Sequence, residues 1–292
     1  MMTVGSQRRA RRRVKRSVDE LDSDSRARLR RFASGARFVI LPTSEAIPLV
    51  ESRLTPGTVG LSVACTAGLG IDQTIAVSEV LAARGYEVTP HLAARQIRTP
   101  RHLEGILRRL RMRSLGRGLV VEGYDGSRGA FPDSARLLAA MHEHPDVPPE
   151  IGIAGHPDGH ADHEPVELAE RLLERSVLAT FVSTRLSLNP SRLLGWVAEM
   201  RVRGLELPIE AGVPGAVGLD DLLREDPSVV LKDRRRETRH YDPTALVLDL
   251  ARQPVVDRLT ITGLRVETLN RIEMTAAWRQ YLYDLSQPAR SV

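Results

Sequence analysis

Short apolar runs alternate along the chain with stretches of helical periodicity. Arg37–Leu41, Thr58–Ala64, Tyr86–Leu92, Gly118–Glu122, Glu150–Ala154, Ala179–Thr184, Leu207–Ala211 and Asp257–Thr262 read as strands. They are continuous rather than alternating runs, the pattern of parallel strands covered on both faces. Between them, Arg101–Arg113 sets Leu103, Ile106, Leu107 and Leu110 on one helical face. Asp72–Ala83, Asp133–His142, Pro165–Arg175, Asn189–Arg203 and Glu267–Tyr283 read as helices too, and Leu219–Arg224 and Pro243–Ala251 flank a polar loop at 232–241. Asn189 is placed to cap, Pro165 and Pro190 suit a first turn, and Gly85 and Gly204 suit helix ends. A charged helix over Asp19–Phe32 precedes the first strand. Eight β/α units in about 250 residues predict an α/β fold, a single (β/α)8 TIM barrel, with a doubly wound open sheet as the alternative.

Composition sharpens this. Of 292 residues, 42% are hydrophobic but only 4% aromatic, so Leu, Val, Ile and Ala must build the core, as in layered barrels. A single cysteine, Cys65, excludes an intrachain disulfide framework and a multi-cysteine metal site, and suits a reducing, cytoplasmic setting. No run approaches the roughly 18 apolar residues of a membrane span, and the N-terminus lacks the apolar segment of a secretory signal. The net charge of +5 is unevenly placed. Arg8, Arg9, Arg11, Arg12, Arg13, Lys15 and Arg16 crowd the first 16 residues without an acid, and the remainder carries −2. The body is therefore not a nucleic-acid-like surface. The basic run reads as a disordered, solvated tail or as a segment that touches RNA or an anionic membrane. The expected organisation is a tail over 1–18 and a barrel over 19–292.

In a barrel, the residues after each strand share one mouth, where ligands bind. Here they are Pro42-Thr43-Ser44-Glu45, Cys65-Thr66-Ala67-Gly68, His91, Glu122-Gly123-Tyr124-Asp125, His156-Pro157-Asp158-Gly159-His160, Thr184-Arg185 and Glu210-Ala211-Gly212. Such a mouth is polar, glycine-rich and mixed in charge, and suits a flat, polar ligand with an anionic end. His156, Asp158, His160 and Asp162 alternate on a loop and do not form the His-x-x-x-His face of a helix, so no metal is expected. The alternative for each histidine is a turn hydrogen bond or a helix cap. Gly68-Leu69-Gly70 lacks the third glycine of a dinucleotide fingerprint, Asp72 reads as a helix N-cap, and Cys65 reads as a small core residue or a nucleophile.

The stretch Gly152-Ile153-Ala154-Gly155-His156-Pro157-Asp158-Gly159-His160-Ala161-Asp162 resembles the Gly-(Val/Ala)-Ala-Gly/Ala-Tyr-Pro-Glu-Gly-His-Pro-Glu loop of the methylenetetrahydrofolate reductases. Val63-Ala64-Cys65-Thr66-Ala67-Gly68 with Asp72-Gln73-Thr74 is similar to that family's Val-Thr-Tyr-Gly-Ala-Gly loop and (Glu/Asp)-Arg-Thr helix start. Thr89-Pro90-His91-Leu92 is similar to Pro-His-Leu-Thr, Leu207-Pro208-Ile209 through Gly212-Val213-Pro214 to a Pro-Ile-x-Pro-Gly-Ile strand, and Thr268-Leu269-Asn270-Arg271 with Glu273-Met274 to Thr-Leu-Asn-Arg-x-Glu-Met. The resemblance covers about residues 37–285. It implies a (β/α)8 barrel that reduces methylene- to methyltetrahydrofolate with NAD(P)H, using FAD at the strand ends. By position it implies flavin contacts from His91, His160, Gly123, Tyr124 and Asp125, with Thr66 and Asp158 in the same cofactor loops.

The departures from the family pattern define the remaining candidates. Val39 stands where the family carries a glutamate acid, and valine cannot transfer a proton. Glu45, Glu122 and Glu210 are the candidates to replace it. Glu122-Gly123-Tyr124 replaces Arg-Gly-Asp, and Thr184-Arg185 replaces Thr-Gln, which turns a neutral amide on the substrate side into a fixed cation. Glu170, Leu173 and Glu174 align with cationic phosphate ligands. Three readings stay open: a divergent reductase, a folate barrel for methyl transfer or demethylation, and a non-catalytic folate-binding paralogue. A folate is the expected small-molecule partner, and a homo-oligomer is left open.

Overall fold

A computed structural model describes residues 14–121, 129–160, 163–218, 220–222, 241–253 and 261–287. The chain folds as a closed (β/α)8 barrel in which each strand pairs with its sequence neighbours and the eighth returns to the first. Residues 14–19 form a helical segment, α1, and α2 is Ser23–Ser34. The sheet then alternates as β1 (Arg37–Ile40), α3 (Ala46–Arg53), β2 (Gly60–Val63), α4 (Gly70–Ala83), β3 (Val88–Ala93), α5 (Pro100–Met112) and β4 (Arg117–Val121). It continues as α6 (Ser134–His142), β5 (Glu150–Gly155), α7 (Pro165–Ser176), β6 (Phe181–Leu186), α8 (Pro190–Val202) and β7 (Ile209–Pro214). It closes with α9 (Thr244–Ala251), β8 (Ile261–Glu267) and α10 (Ile272–Ser286). All strand pairs are parallel. Among the described residues no helix is long and apolar enough to cross a membrane.

Local signals act at several helix starts. Asp22, Thr99, Asp133 and Asn189 each cap with a side-chain oxygen. Gly85 and Gly204 follow their helices with φ of 85° and 97°. Asp72 differs: it lies in the first turn of α4 rather than at its cap, and pairs with Arg98 and His102 at 2.7 and 2.8 Å. The α3 helix has no clear sequence signal, because it is only eight residues long and carries Pro48, tolerated in a first turn. Val18, inside the segment assigned to the tail, is fully buried in the core.

The two faces of the sheet differ in chemistry. Phe38, Ile40, Leu61, Val63, Val120, Ile153, Val182, Val213, Leu264 and Val266 belong to one continuous apolar cluster between strands and helices. Alternation sends the other residues of each strand into the barrel. There stand Arg37, Ser62, His91, Arg117, Ser183, Glu210, Arg265 and Glu267 beside Val39, Leu119 and Phe181. Two strands differ in their bounds from the apolar runs of the sequence. The seventh begins at Ile209 rather than Leu207, after Pro208, whose nitrogen carries no hydrogen for a ladder. The eighth runs to Glu267, well beyond the apolar run read as its end, because its inward positions are Gly263, Arg265 and Glu267.

The end of the barrel opposite the strand C-termini is shut by ion pairs. Arg117 binds Glu150 and Glu210, each at 2.6 Å, with its guanidinium 3.7 Å above the Phe181 ring centroid. Arg37 binds Glu87 at 2.5 Å.

Candidate functional site

The mouth is built from the C-terminal ends of the strands. After β5, Gly159 turns the chain with φ 87°, and His160 and His163 bridge across the loop. The His156 and His160 rings stand edge to face at 5.8 Å, and those of His160 and His163 lie 5.3 Å apart. Asp158 faces Arg192 of α8 at 3.4 Å, and His163 faces Glu167 at 3.3 Å. Among the described residues, no group of three or more His, Cys, Asp or Glu side chains is arranged to hold a metal.

Burial pushes the His156 imidazole down to about 3, reinforced by the charges of Arg185 and Arg175 and by its neighbouring histidines. His91 is pushed down to about 3 as well, by burial first and then by Arg265. His91 lies inside the barrel, below the rim, with Nε2 2.9 Å from the Ser62 hydroxyl. Both rings are neutral at pH 7. Their folded pKa values lie below the unfolded value of 6.5, so the unfolded chain binds more protons as pH falls. Stability carried by these two groups is therefore present above 6.5 and is lost progressively toward about 3. Each should cost about 1 kcal/mol between pH 7 and 5.5. Urea midpoints at those two pH values measure this, and His91→Gln should flatten the acid-side slope.

The remaining predicted site residues are distributed unevenly. Arg185 is exposed near the end of β6, on the inward-facing parity, and so belongs to the mouth. Thr184 is fully buried, and its hydroxyl accepts the Gly212 N–H at 2.8 Å, so its side chain serves the β6–β7 seam. The Thr66 carbonyl accepts from Gln96 at 3.3 Å, and the Cys65 thiol donates to the same glutamine at 3.0 Å. Glu45 is exposed at the start of α3, and the Ser44 hydroxyl, 2.8 Å away, holds its carboxyl below the usual range. Glu122, Gly123, Tyr124 and Asp125, which follow β4, lie outside the described residues, as do Ala161 and Asp162.

Glu210 requires a correction of place. It is the second residue of β7, not a residue beyond its end, and it binds Arg117 at the opposite, closed end of the barrel. The two-residue shift of β7 accounts for the difference.

The same kind of shift conceals the mouth's most enclosed described carboxylate. The sequence pattern puts Glu267 at the start of the last helix, but it is the final residue of β8. It pairs with Arg265 at 3.0 Å, their side chains only 19% and 9% exposed. Arg265 reaches across to the Thr184 carbonyl at 3.0 Å. Glu267 is also the cross-strand neighbour of Val39. Polar residues at i and i+2 beside apolar Leu264 and Val266 are the signal that sequence reasoning missed.

The Thr-Leu-Asn-Arg stretch follows β8 directly and ties it to β1. Thr268 donates to the Val39 carbonyl at 2.6 Å, while Asn270 accepts from Leu41 N–H at 2.9 Å and donates to its carbonyl at 3.2 Å. Asn270 sits at φ 56°, which asparagine tolerates better than most residues. Asn270→Ala should cost about 1–2 kcal/mol, since it strands the Leu41 N–H, whereas the Leu41 carbonyl keeps the Thr43 N–H at 2.8 Å. Chemical denaturation of the variant checks this.

The flavin implied by the resemblance can be tested against α7. That helix presents Glu167, Glu170 and Glu174. Arg171 is paired with Glu167 at 2.7 Å, and buried Arg175 donates to Ser134 at 2.6 Å. Carboxylates there would repel a flavin pyrophosphate, so these residues do not fit the group.

Fold and site together define a (β/α)8 barrel with a polar, arginine-bearing mouth at the strand C-termini. No family model matches the chain. Among solved structures it is similar to an uncharacterized protein from Clostridium thermocellum that binds two copies of 5-methyl-5,6,7,8-tetrahydrofolic acid, at 12% identity and TM-score 0.60 over 89% of this chain and 97% of that one. Dihydropteroate synthase from Thermus thermophilus aligns at 15% identity and TM-score 0.42 over 85% and 92% of the two chains. At such identities the likeness is one of fold.

Proposed function

We propose that the protein binds a reduced folate in the barrel mouth and reduces its methylene group to a methyl with a nicotinamide donor. The observation that carries this reading is the mouth's charge arrangement. An exposed Arg185 stands near the largely buried Arg265–Glu267 pair, above histidines held neutral. Such a mouth suits a flat, hydrogen-bonding ring with an anionic tail, which is the shape and charge of a folate. The binding of 5-methyltetrahydrofolate by the Clostridium thermocellum barrel supports the same ligand class.

The reaction breaks one C–N bond of the methylene bridge. A hydride from the nicotinamide donor forms the new C–H bond, and a proton completes the released nitrogen. The proton donor we assign is Glu122, the residue directly after β4. Glu45 is less suited, because the Ser44 hydroxyl favours its ionised form. Arg185 would hold an anionic part of the substrate.

The misfit of α7 to a flavin pyrophosphate favours a second reading, a folate-binding barrel without redox chemistry. Calorimetric titration of the purified chain with 5-methyltetrahydrofolate tests what the two readings share. Saturable binding is expected, and the absence of binding would sink both.

A further inference from the structure

Resting on the folate reading, we propose that Ser62 locks the His91 ring as the tautomer protonated on Nε2, so that a bare Nδ1 accepts a hydrogen bond from a ring N–H of the bound pterin. His91 is then a specificity-determining acceptor and Ser62 its positioning residue. Neither passes a proton to the substrate.

The lock follows from counting hydrogens. Val88 and Leu92 pack into the outer apolar cluster, which turns His91 of the same strand inward with 7% of its surface exposed. Leu61 and Val63 do the same for Ser62 on β2. The Ser62 Oγ lies 2.9 Å from His91 Nε2 and 3.4 Å from the Thr89 carbonyl oxygen. A serine hydroxyl carries a single hydrogen. Were it given to Nε2, the contact with the Thr89 carbonyl would have none. With the hydrogen on Nε2, the ring donates to Ser62 and Ser62 donates onward to Thr89. This arrangement makes two hydrogen bonds from the same three groups where the other makes one, so it is the more stable.

Nδ1 is then left with its lone pair. It makes no hydrogen bond among the described residues, and unlike the enclosed hydroxyls of Thr89 and Ser183 it belongs to the exposed part of the ring. Ion pairs shut the far end of the barrel, so that part of the ring opens toward the mouth. Burial and the Arg265 cation both oppose a second proton on the ring, which keeps Nδ1 an acceptor at pH 7. A ligand carbonyl would meet this lone pair with its own, whereas an N–H meets its complement. A reduced pterin carries such N–H groups along its rings.

Nitrogen NMR of chains with isotope-labelled histidine reads the tautomer directly, and His91→Phe identifies the His91 signals. In the free wild-type chain at pH 7, Nε2 should carry the hydrogen and Nδ1 should resonate as an unprotonated nitrogen. Saturating 5-methyltetrahydrofolate should shift the Nδ1 signal and leave that atom unprotonated. By calorimetry, Ser62→Ala should bind the same ligand about five- to tenfold more weakly and show mixed tautomers, and Ser62→Thr should regain the lock. A hydrogen on Nδ1 of the free chain, an Nδ1 signal unmoved by bound folate, or wild-type affinity in Ser62→Ala would overturn the assignment alone. If the serine variants do not fold, the wild-type spectra decide. No folate binding by the wild-type chain would overturn the folate reading, and the pterin contact with it.

Discussion

Replacing Gly212 by alanine is expected to destabilise the protein by about 3 kcal/mol, at the upper end of what overpacking costs. An added Cβ would lie 2.4 Å from the Thr184 carbonyl oxygen and 2.7 Å from that of Arg185. Both are backbone atoms of the neighbouring strand, so no side chain can swing away. The strands meet here at an irregularity of β6 between Ser183 and Leu186, stitched by Thr184 Oγ1 to Gly212 N at 2.8 Å and by Ser187 N to Gly212 O at 3.0 Å. Arg265 hangs on the same Thr184 carbonyl. Spreading this seam therefore loosens the sheet and the floor of the mouth together. Thermal and urea unfolding of Gly212→Ala measure the first effect. A loss of ligand affinity beyond the loss of stability measures the second.

The largest expected effect on activity belongs to Glu122→Gln. If Glu122 delivers the proton to the released folate nitrogen, its amide should lower kcat by about 10²–10⁴-fold, the usual share of general acid catalysis. The folate KM should change little, because the amide keeps the size and polarity of the side chain. The pH profile should also lose the limb that reports the acid. Activity within a few-fold of wild type would move the role to another residue.

The fold is legible in the sequence because most strands carry their apolar residues outward, into the cluster that the helices cover. Phe38-Val39-Ile40 and Ile151-Gly152-Ile153 read as strands for that reason. Helix starts are legible where a side chain caps, as at Asp133 and Asn189. Legibility fails where the barrel interior is polar. The inward residues of β8 interrupt its apolar run, so the pattern ends the strand too early and places Glu267 in a helix. The same failure puts Glu210 at the mouth, when its partner Arg117 opens β4 at the far end. No local pattern can reveal that pair, because the two residues are 93 positions apart in the chain. Arg185 is visible because a charged residue ends an otherwise apolar run, and it does stand exposed in the mouth. The Thr-Leu-Asn-Arg stretch is visible as a motif, but its role of fastening β8 to β1 depends on a barrel closure that only the assembled sheet provides.

Reduction of a folate-bound methylene group is tested most simply by following nicotinamide oxidation by the purified protein with and without methylenetetrahydrofolate. Oxidation that depends on the folate is expected, with one methyltetrahydrofolate formed for each nicotinamide consumed. Folate-independent oxidation, or no oxidation by a chain that still binds methyltetrahydrofolate, would rule out the proposed reduction and leave a folate-binding barrel without this chemistry.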